Sequence, residues 1–224
     1  MVRSRRPKFR QMIHAGETSI PKPIFLDSAE SFSIPSRDSN RSIPCRVLKP
    51  TDDSVKGVYM HLHPGSWTLG DETSQDPMLQ RIANSTSLLC ISIGYRLVPE
   101  EPFPAGLDDC IDVASWLATY SRSIFGADLS FIGGESAGAH LSVLTPIHLR
   151  RSAQHANFQL KRLLLHFGVY DLSGLPQFHN FAPSTRCFSL STPSRPRSLR
   201  SVPVCPHRNS RIPRSRHYTS DCQV

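Results

Sequence analysis

The chain has 224 residues, with 26 Lys and Arg against 18 Asp and Glu, a formal net charge of +8. That length accommodates one full-sized domain with a substantial core, and no apolar run approaches the roughly 18 residues a membrane span needs. The basic excess sits at the two ends. Residues 1–10 hold five basic residues and no acid, and residues 182–224 hold eight arginines against Asp221, so the stretch between them is mildly acidic and does not read as a nucleic-acid groove.

Residues 1–30 mix basic and polar side chains with prolines at 21 and 23, and no periodicity assigns them an element. They lack the apolar core of a secretory signal, so export is not indicated. Residues 31–34 and 43–48 read as two short strands joined by the polar turn 36–40. Residues 58–62 form a compact, largely apolar strand. Residues 73–85 are polar but punctuated by Met78, Leu79 and Ile82, the pattern of a surface helix. Residues 88–93 are again apolar apart from Ser92, as in a strand buried on both faces. Within 108–120, Cys110, Val113, Ala114 and Leu117 recur at helical spacing. A fourth apolar run covers 129–132, a helix is expected over 137–151, and a fifth apolar run covers 163–167. Pro146 is awkward inside that helix, since an interior proline costs about 3 kcal/mol unless the helix kinks or ends there.

Strands alternating with helices predict an α/β fold: an incomplete, mostly parallel sheet of about six strands with an antiparallel hairpin at its start. After Phe181 the pattern stops. Ser, Arg and Pro fill 23 of the 43 positions in 182–224, a composition that cannot bury enough apolar surface to offset its ordering entropy. The expected organisation is an N-terminal segment over 1–30, serving as a cap remnant, a partial α/β domain over 31–181, and a disordered tail over 182–224. The six cysteines show no CxxC pair and no zinc-like Cys/His spacing, and Cys90 and Cys110 read as small core residues. A reducing, cytoplasmic setting is the default expectation.

Two patches carry chemistry. Gly134, Ser136 and Gly138 form G-x-S-x-G within Gly133-Gly134-Glu135-Ser136-Ala137-Gly138-Ala139. An apolar strand precedes this motif and a helical stretch follows, so Ser136 falls on a sharp strand-to-helix turn that exposes its hydroxyl. The helix N-terminus then favours developing negative charge. The bare motif is common, and an ordinary strand-to-helix turn is its bland reading; the flanking strand and helix weigh against that. The second patch is His61-Leu62-His63-Pro64-Gly65-Ser66-Trp67, at the end of the 58–62 strand. A turn there presents backbone N–H groups toward Ser136, and with the N–H of Ala137 they make an oxyanion hole, in which one donor is worth ~3 kcal/mol.

Four patches in order resemble the hormone-sensitive-lipase-like esterases, the α/β-hydrolase fold-3 group, over residues 34–181. HLHPGSW stands where that family has H-G-G-G. Tyr95-Arg96-Leu97-Val98-Pro99-Glu100 followed by Pro102-Phe103-Pro104-Ala105 matches a family signature. GESAGA matches the nucleophile turn, and Leu163-Leu164-Leu165-His166-Phe167 with Tyr170-Asp171-Leu172 fits the next strand and loop. The resemblance implies that Ser136 is the nucleophile and that Gly65, Ser66 and Ala137 supply the oxyanion amides. It makes His63 a structural histidine, with no metal or cofactor and a small ester as substrate. Pro64 lacks an N–H, but the family's donors fall at the next two positions. Ser66 stands where the backbone suits glycine, which predicts strain.

The family's acid and histidine would follow strands downstream of residue 167, and no matching residues are found there. Asp171 and His179 are weak substitutes, and His207 and His217 lie in the polar tail. The expectation is therefore a protein truncated on its C-terminal side or frame-shifted near Phe181, a serine esterase by family with little or no turnover. One alternative is a catalytically silent relative or decayed gene product. Another is electrostatic binding of nucleic acid or an anionic surface by the Arg-rich tail, disfavoured because aromatics for stacking are scarce there.

Overall fold

A computed structural model describes residues 5–52, 54–156 and 158–170, all within one compact unit. The expectations for residues 171–224, including Asp171, His179 and the Arg-rich tail, lie outside the described residues.

Six strands form one sheet, β1 (Glu30–Pro35), β2 (Ser42–Leu48), β3 (Gly57–Leu62), β4 (Leu88–Ile93), β5 (Leu129–Glu135) and β6 (Arg162–His166), in the order β1-β2-β4-β3-β5-β6. The β1–β2 and β2–β4 pairs are antiparallel, and β3 pairs in parallel with β4 and β5, as does β5 with β6. This is the mixed, mostly parallel α/β sheet expected. β3 and β4 lie at its centre, and every residue of both is buried, which is why their sequences are apolar apart from His61 and Ser92.

Four helices accompany the sheet among the described residues: α1 (Arg5–Ala15), α2 (Asp76–Thr86), α3 (Ala105–Phe125) and α4 (Ala137–Leu149). Strand alternation sorts the core onto two faces. Val58, Met60, Leu62, Leu89, Ile91 and Ile93 pack with Val113, Leu117 and Leu141 of α3 and α4. Tyr59, Leu88 and Cys90 pack with Leu79 and Ala83 of α2. Each such side chain, fully buried, contributes about 1.5–3 kcal/mol relative to exposure. The helix ends follow local chemistry: Pro77 opens α2, and Ser87 and Gly126 close α2 and α3 in left-handed conformation.

Several boundaries differ from the sequence expectation. α2 starts three residues later than the polar pattern indicated, because Asp71, Thr73 and Ser74 satisfy one another in a turn that holds the backbone out of helix. α3 runs one turn further at its C-terminal end than its apolar spacing suggested, to the left-handed Gly126. Pro146 remains inside α4, which ends at Leu149 within one turn of it. α1 was not anticipated at all. Cys45, Cys90 and Cys110 are buried free thiols, and burial pushes the Cys90 thiol up to about 12. No helix among the described residues is long and apolar enough to cross a membrane.

Candidate active site

The C-terminal ends of β3 and β5 lie side by side, with Leu62 opposite Gly134. Each strand end feeds a turn, and the two turns hold the residues singled out in the sequence. A Cβ on either Gly134 or Gly138 would run into the carbonyl oxygen of Leu62. Glycine at these positions therefore lets the turn after β5 close directly onto the end of β3.

Between them Ser136 adopts φ 51° and ψ −112°, a left-handed conformation that costs a non-glycine residue about 1–3 kcal/mol. Its N–H donates to the carbonyl of His166 at 2.9 Å, and its own carbonyl accepts from the N–H of His140 at 3.2 Å. Ser136 is half-buried although its neighbours Glu135, Ala137 and Gly138 are buried. The arrangement is the strand-to-helix turn expected from the motif.

The turn after β3 carries three consecutive residues at positive φ, Gly65 at 126°, Ser66 at 52° and Trp67 at 59°. The N–H groups of Thr68 and Leu69 both donate to the Gly65 carbonyl, at 3.0 and 2.9 Å, and so close the turn. The backbone N–H groups of Gly65, Ser66 and Ala137 make no hydrogen bond among the described residues. Ser66 does occupy the left-handed region, as its place in a glycine-like position predicted.

His63 is fully buried and its ring stacks on Tyr95 with centroids 4.2 Å apart and planes 8° from parallel. Its Nδ1 lies 2.7 Å from the Pro64 carbonyl, so that nitrogen carries the proton and donates. Tyr95 in turn donates its hydroxyl to the His63 carbonyl at 2.8 Å. Burial lowers the imidazole pKa from 6.5 to about 4, against the opposing pull of the Pro64 bond. The enclosed ring thus bonds to its own turn through Nδ1, and its buried Nε2 has no partner among the described residues.

Among the described residues, no imidazole is within hydrogen-bond distance of the Ser136 hydroxyl. His140, one helical turn on, packs edge-on against Trp67 at 5.4 Å, and its buried Nδ1 has no partner among the described residues. Partial burial lowers its pKa.

Sequence reading missed two features. The first is α1, which grips the turn after β3: Arg10 donates to the Thr68 carbonyl at 2.7 Å and pairs with Glu100 at 2.9 Å, and His14 meets Asp71 at 2.6 Å. A cavity of about 580 Å3 lies between α1 and this turn, lined by Arg10, His14, Asp71, Glu72, Tyr95 and Glu100. Its lining does not include Ser136. Basic residues at N-terminal positions gave no periodic signal, because α1 is held by ion pairs and not by an apolar stripe. The second is the buried Glu135, bonded to His61 at 2.9 Å. The alternation of β3 and β5 contained that signal, since it turns both side chains toward α2. Among the described residues, no cluster of three or more His, Cys, Asp or Glu side chains could hold a metal ion.

A family described as the alpha/beta hydrolase fold matches residues 59–194, more than half of the chain. The chain belongs to the α/β hydrolase fold family. The match spans both turns, and the esterase relatives agree with the hormone-sensitive-lipase-like resemblance of the motifs. The carboxylic ester hydrolase LipN of Mycobacterium tuberculosis is 30% identical over 128 residues, which are 56% of this chain and 34% of that protein. An arylesterase of Saccharolobus solfataricus is 34% identical over 110 residues, 48% of this chain and 36% of its own length. Among solved structures, a Pyrobaculum calidifontis esterase superposes with a TM-score of 0.61 at 27% identity, covering 80% of this chain and 56% of that one. The part of this α/β hydrolase that aligns thus corresponds to about a third of each of these two curated relatives.

Proposed function

We propose that this protein is a serine carboxylic-ester hydrolase by lineage, with Ser136 as its nucleophile. The Ser136 oxygen would attack the carbonyl carbon of a small ester, the alcohol would leave with a proton, and water would release the acid from the resulting acyl-enzyme. The N–H groups of Gly65, Ser66 and Ala137 would receive the carbonyl oxygen as it becomes an oxyanion, with His63, Gly134 and Gly138 holding the two turns. The observation that carries this reading is a strained serine on one of two adjoining strand-end turns whose three amides make no hydrogen bond among the described residues. No metal or cofactor enters this chemistry. We place α1 in the same proposal as the remnant of a cap, and a cytoplasmic setting as the one that keeps the buried thiols reduced.

A serine hydroxyl at its ordinary pKa is a poor nucleophile and needs an adjacent base. Because no imidazole among the described residues bonds to Ser136, turnover is expected to be slow. That same observation favours the second reading, a silent relative that retains the fold. A fluorophosphonate probe and hydrolysis of p-nitrophenyl acetate, each compared with Ser136→Ala, discriminate the two. Labelling above the Ser136→Ala background supports the hydrolase; labelling equal to that background overturns it in favour of the silent relative.

A further inference from the structure

The two strand ends that carry the candidate site are joined by a buried polar network that the proposed reaction does not use. Glu135 closes β5 and immediately precedes Ser136; His61 lies two residues before His63 on β3. Nε2 of His61 is 2.9 Å from Oε2 of Glu135, and Nδ1 of His61 is 3.3 Å from the Ser92 hydroxyl on β4. Gln75, at the entry to α2, donates its amide to the same carboxylate oxygen at 3.4 Å. A carboxylate only accepts, so Nε2 of His61 carries a proton and donates; in the neutral ring Nδ1 accepts from Ser92.

The network follows from alternation. His61 pairs with Ser92 in register, and Tyr59, Cys90 and Phe131 face α2, so farther along the strands His61, Ser92 and Glu135 do so too. His61 and Ser92 are fully buried and Glu135 is 7% exposed. A buried ionisable pair adds little net stability compared with apolar residues of similar size, so burial alone does not account for it. What it does is geometric. A backbone held at φ 51° and ψ −112° persists only where its surroundings over-determine it. The Ser136 N–H bond to His166 acts at the serine, and the contact of Gly138 with the Leu62 carbonyl acts beyond it. The Glu135–His61 bond constrains the residue before it, and does so from the strand that leads into the amide-bearing turn.

Resting on the reading of Ser136 as nucleophile, we propose that Glu135 and His61 are positioning residues, whose bond sets the spacing between the Ser136 hydroxyl and the amides of Gly65 and Ser66. Neither touches substrate. Loss of one charged hydrogen bond that acts only through geometry is expected to slow attack about tenfold.

The test uses the whole chain in three forms, wild type, Glu135→Ala, which removes the acceptor of the His61 Nε2–H, and the apolar pair His61→Leu with Glu135→Leu, the last chosen to fold if the single variant does not. Fluorophosphonate labelling rates are measured per folded molecule, alongside hydrogen–deuterium exchange of peptides covering 133–138, 62–69 and 88–93. The expected result is about tenfold slower labelling in both variants, with exchange accelerated in the two turn peptides and unchanged in β4. A uniform rise in exchange with labelling unchanged, or a lowered melting temperature with neither turn peptide affected, overturns the proposal. If the wild type itself does not label, the hydrolase reading fails, and exchange localised to the two turns still decides whether the pair positions them.

Discussion

The carbonyl oxygen of Leu62 lies so close to the α-carbon of Gly138 that no side chain can stand between them. The end of β3 and the first turn of α4 are thereby in backbone contact, which seats the turn that carries Ser136 on the strand end that leads to Gly65 and Ser66. Gly138→Ala must push backbone against backbone, which no rotamer change relieves. Overpacking of this kind typically costs about 1–3 kcal/mol. A fall of that size in unfolding free energy, measured by urea titration, is expected for Gly138→Ala, with Gly134→Ala behaving alike.

Ser136 is held in a conformation that glycine adopts without steric cost. Ser136→Gly is therefore expected to stabilise the fold by about 1 kcal/mol, the relieved strain outweighing the added freedom of the unfolded state. A thermal midpoint raised in Ser136→Gly and unchanged or lowered in Ser136→Ala checks this. Stability gained by removing the proposed nucleophile would mark the turn as strained for chemistry.

His63 contributes a pH dependence whose sign follows from its depressed pKa. Folded, the ring takes a proton only near pH 4; unfolded, it does so near 6.5. As pH falls through 6.5 the unfolded state binds a proton that the folded state does not, so stability declines from 6.5 down to about 4 and the contribution then levels off. The full effect is ~3 kcal/mol. In His63→Phe, which keeps an aromatic ring against Tyr95, the loss of unfolding free energy on going from neutral pH to the acid end of that window is expected to be smaller than in the wild type.

The pairs that fasten α1 are partly exposed, Arg10 at 21% and Glu100 at 34% of their side chains. Pairs of this kind contribute less than about 1 kcal/mol each. Arg10→Ala combined with His14→Ala is expected to leave the melting temperature nearly unchanged while exposing residues 5–15 to limited proteolysis. Resistance equal to the wild type would show that α1 is held by packing instead.

Much of this arrangement is legible in the amino-acid order. The apolar runs at 58–62 and 88–93, interrupted only by His61 and Ser92, read as central strands because a strand covered on both faces has no solvent side to mark with alternating polar residues. Ser136 reads as a turn serine because only small residues fit around it. The helix at 105–125 extends past its apolar spacing because its end is set by a left-handed glycine, a backbone property with a one-residue signature.

The order of residues was enough to dictate the alternation of strands and helices and the two chemical patches, since each depends on neighbours along the backbone. Packing between elements had to establish the rest: that Glu135 meets His61 across 74 positions, that Arg10 reaches the Thr68 carbonyl across 58, and that no imidazole among the described residues meets Ser136. Those are distances between elements, set by strand register and helix docking, and local propensity holds no record of them.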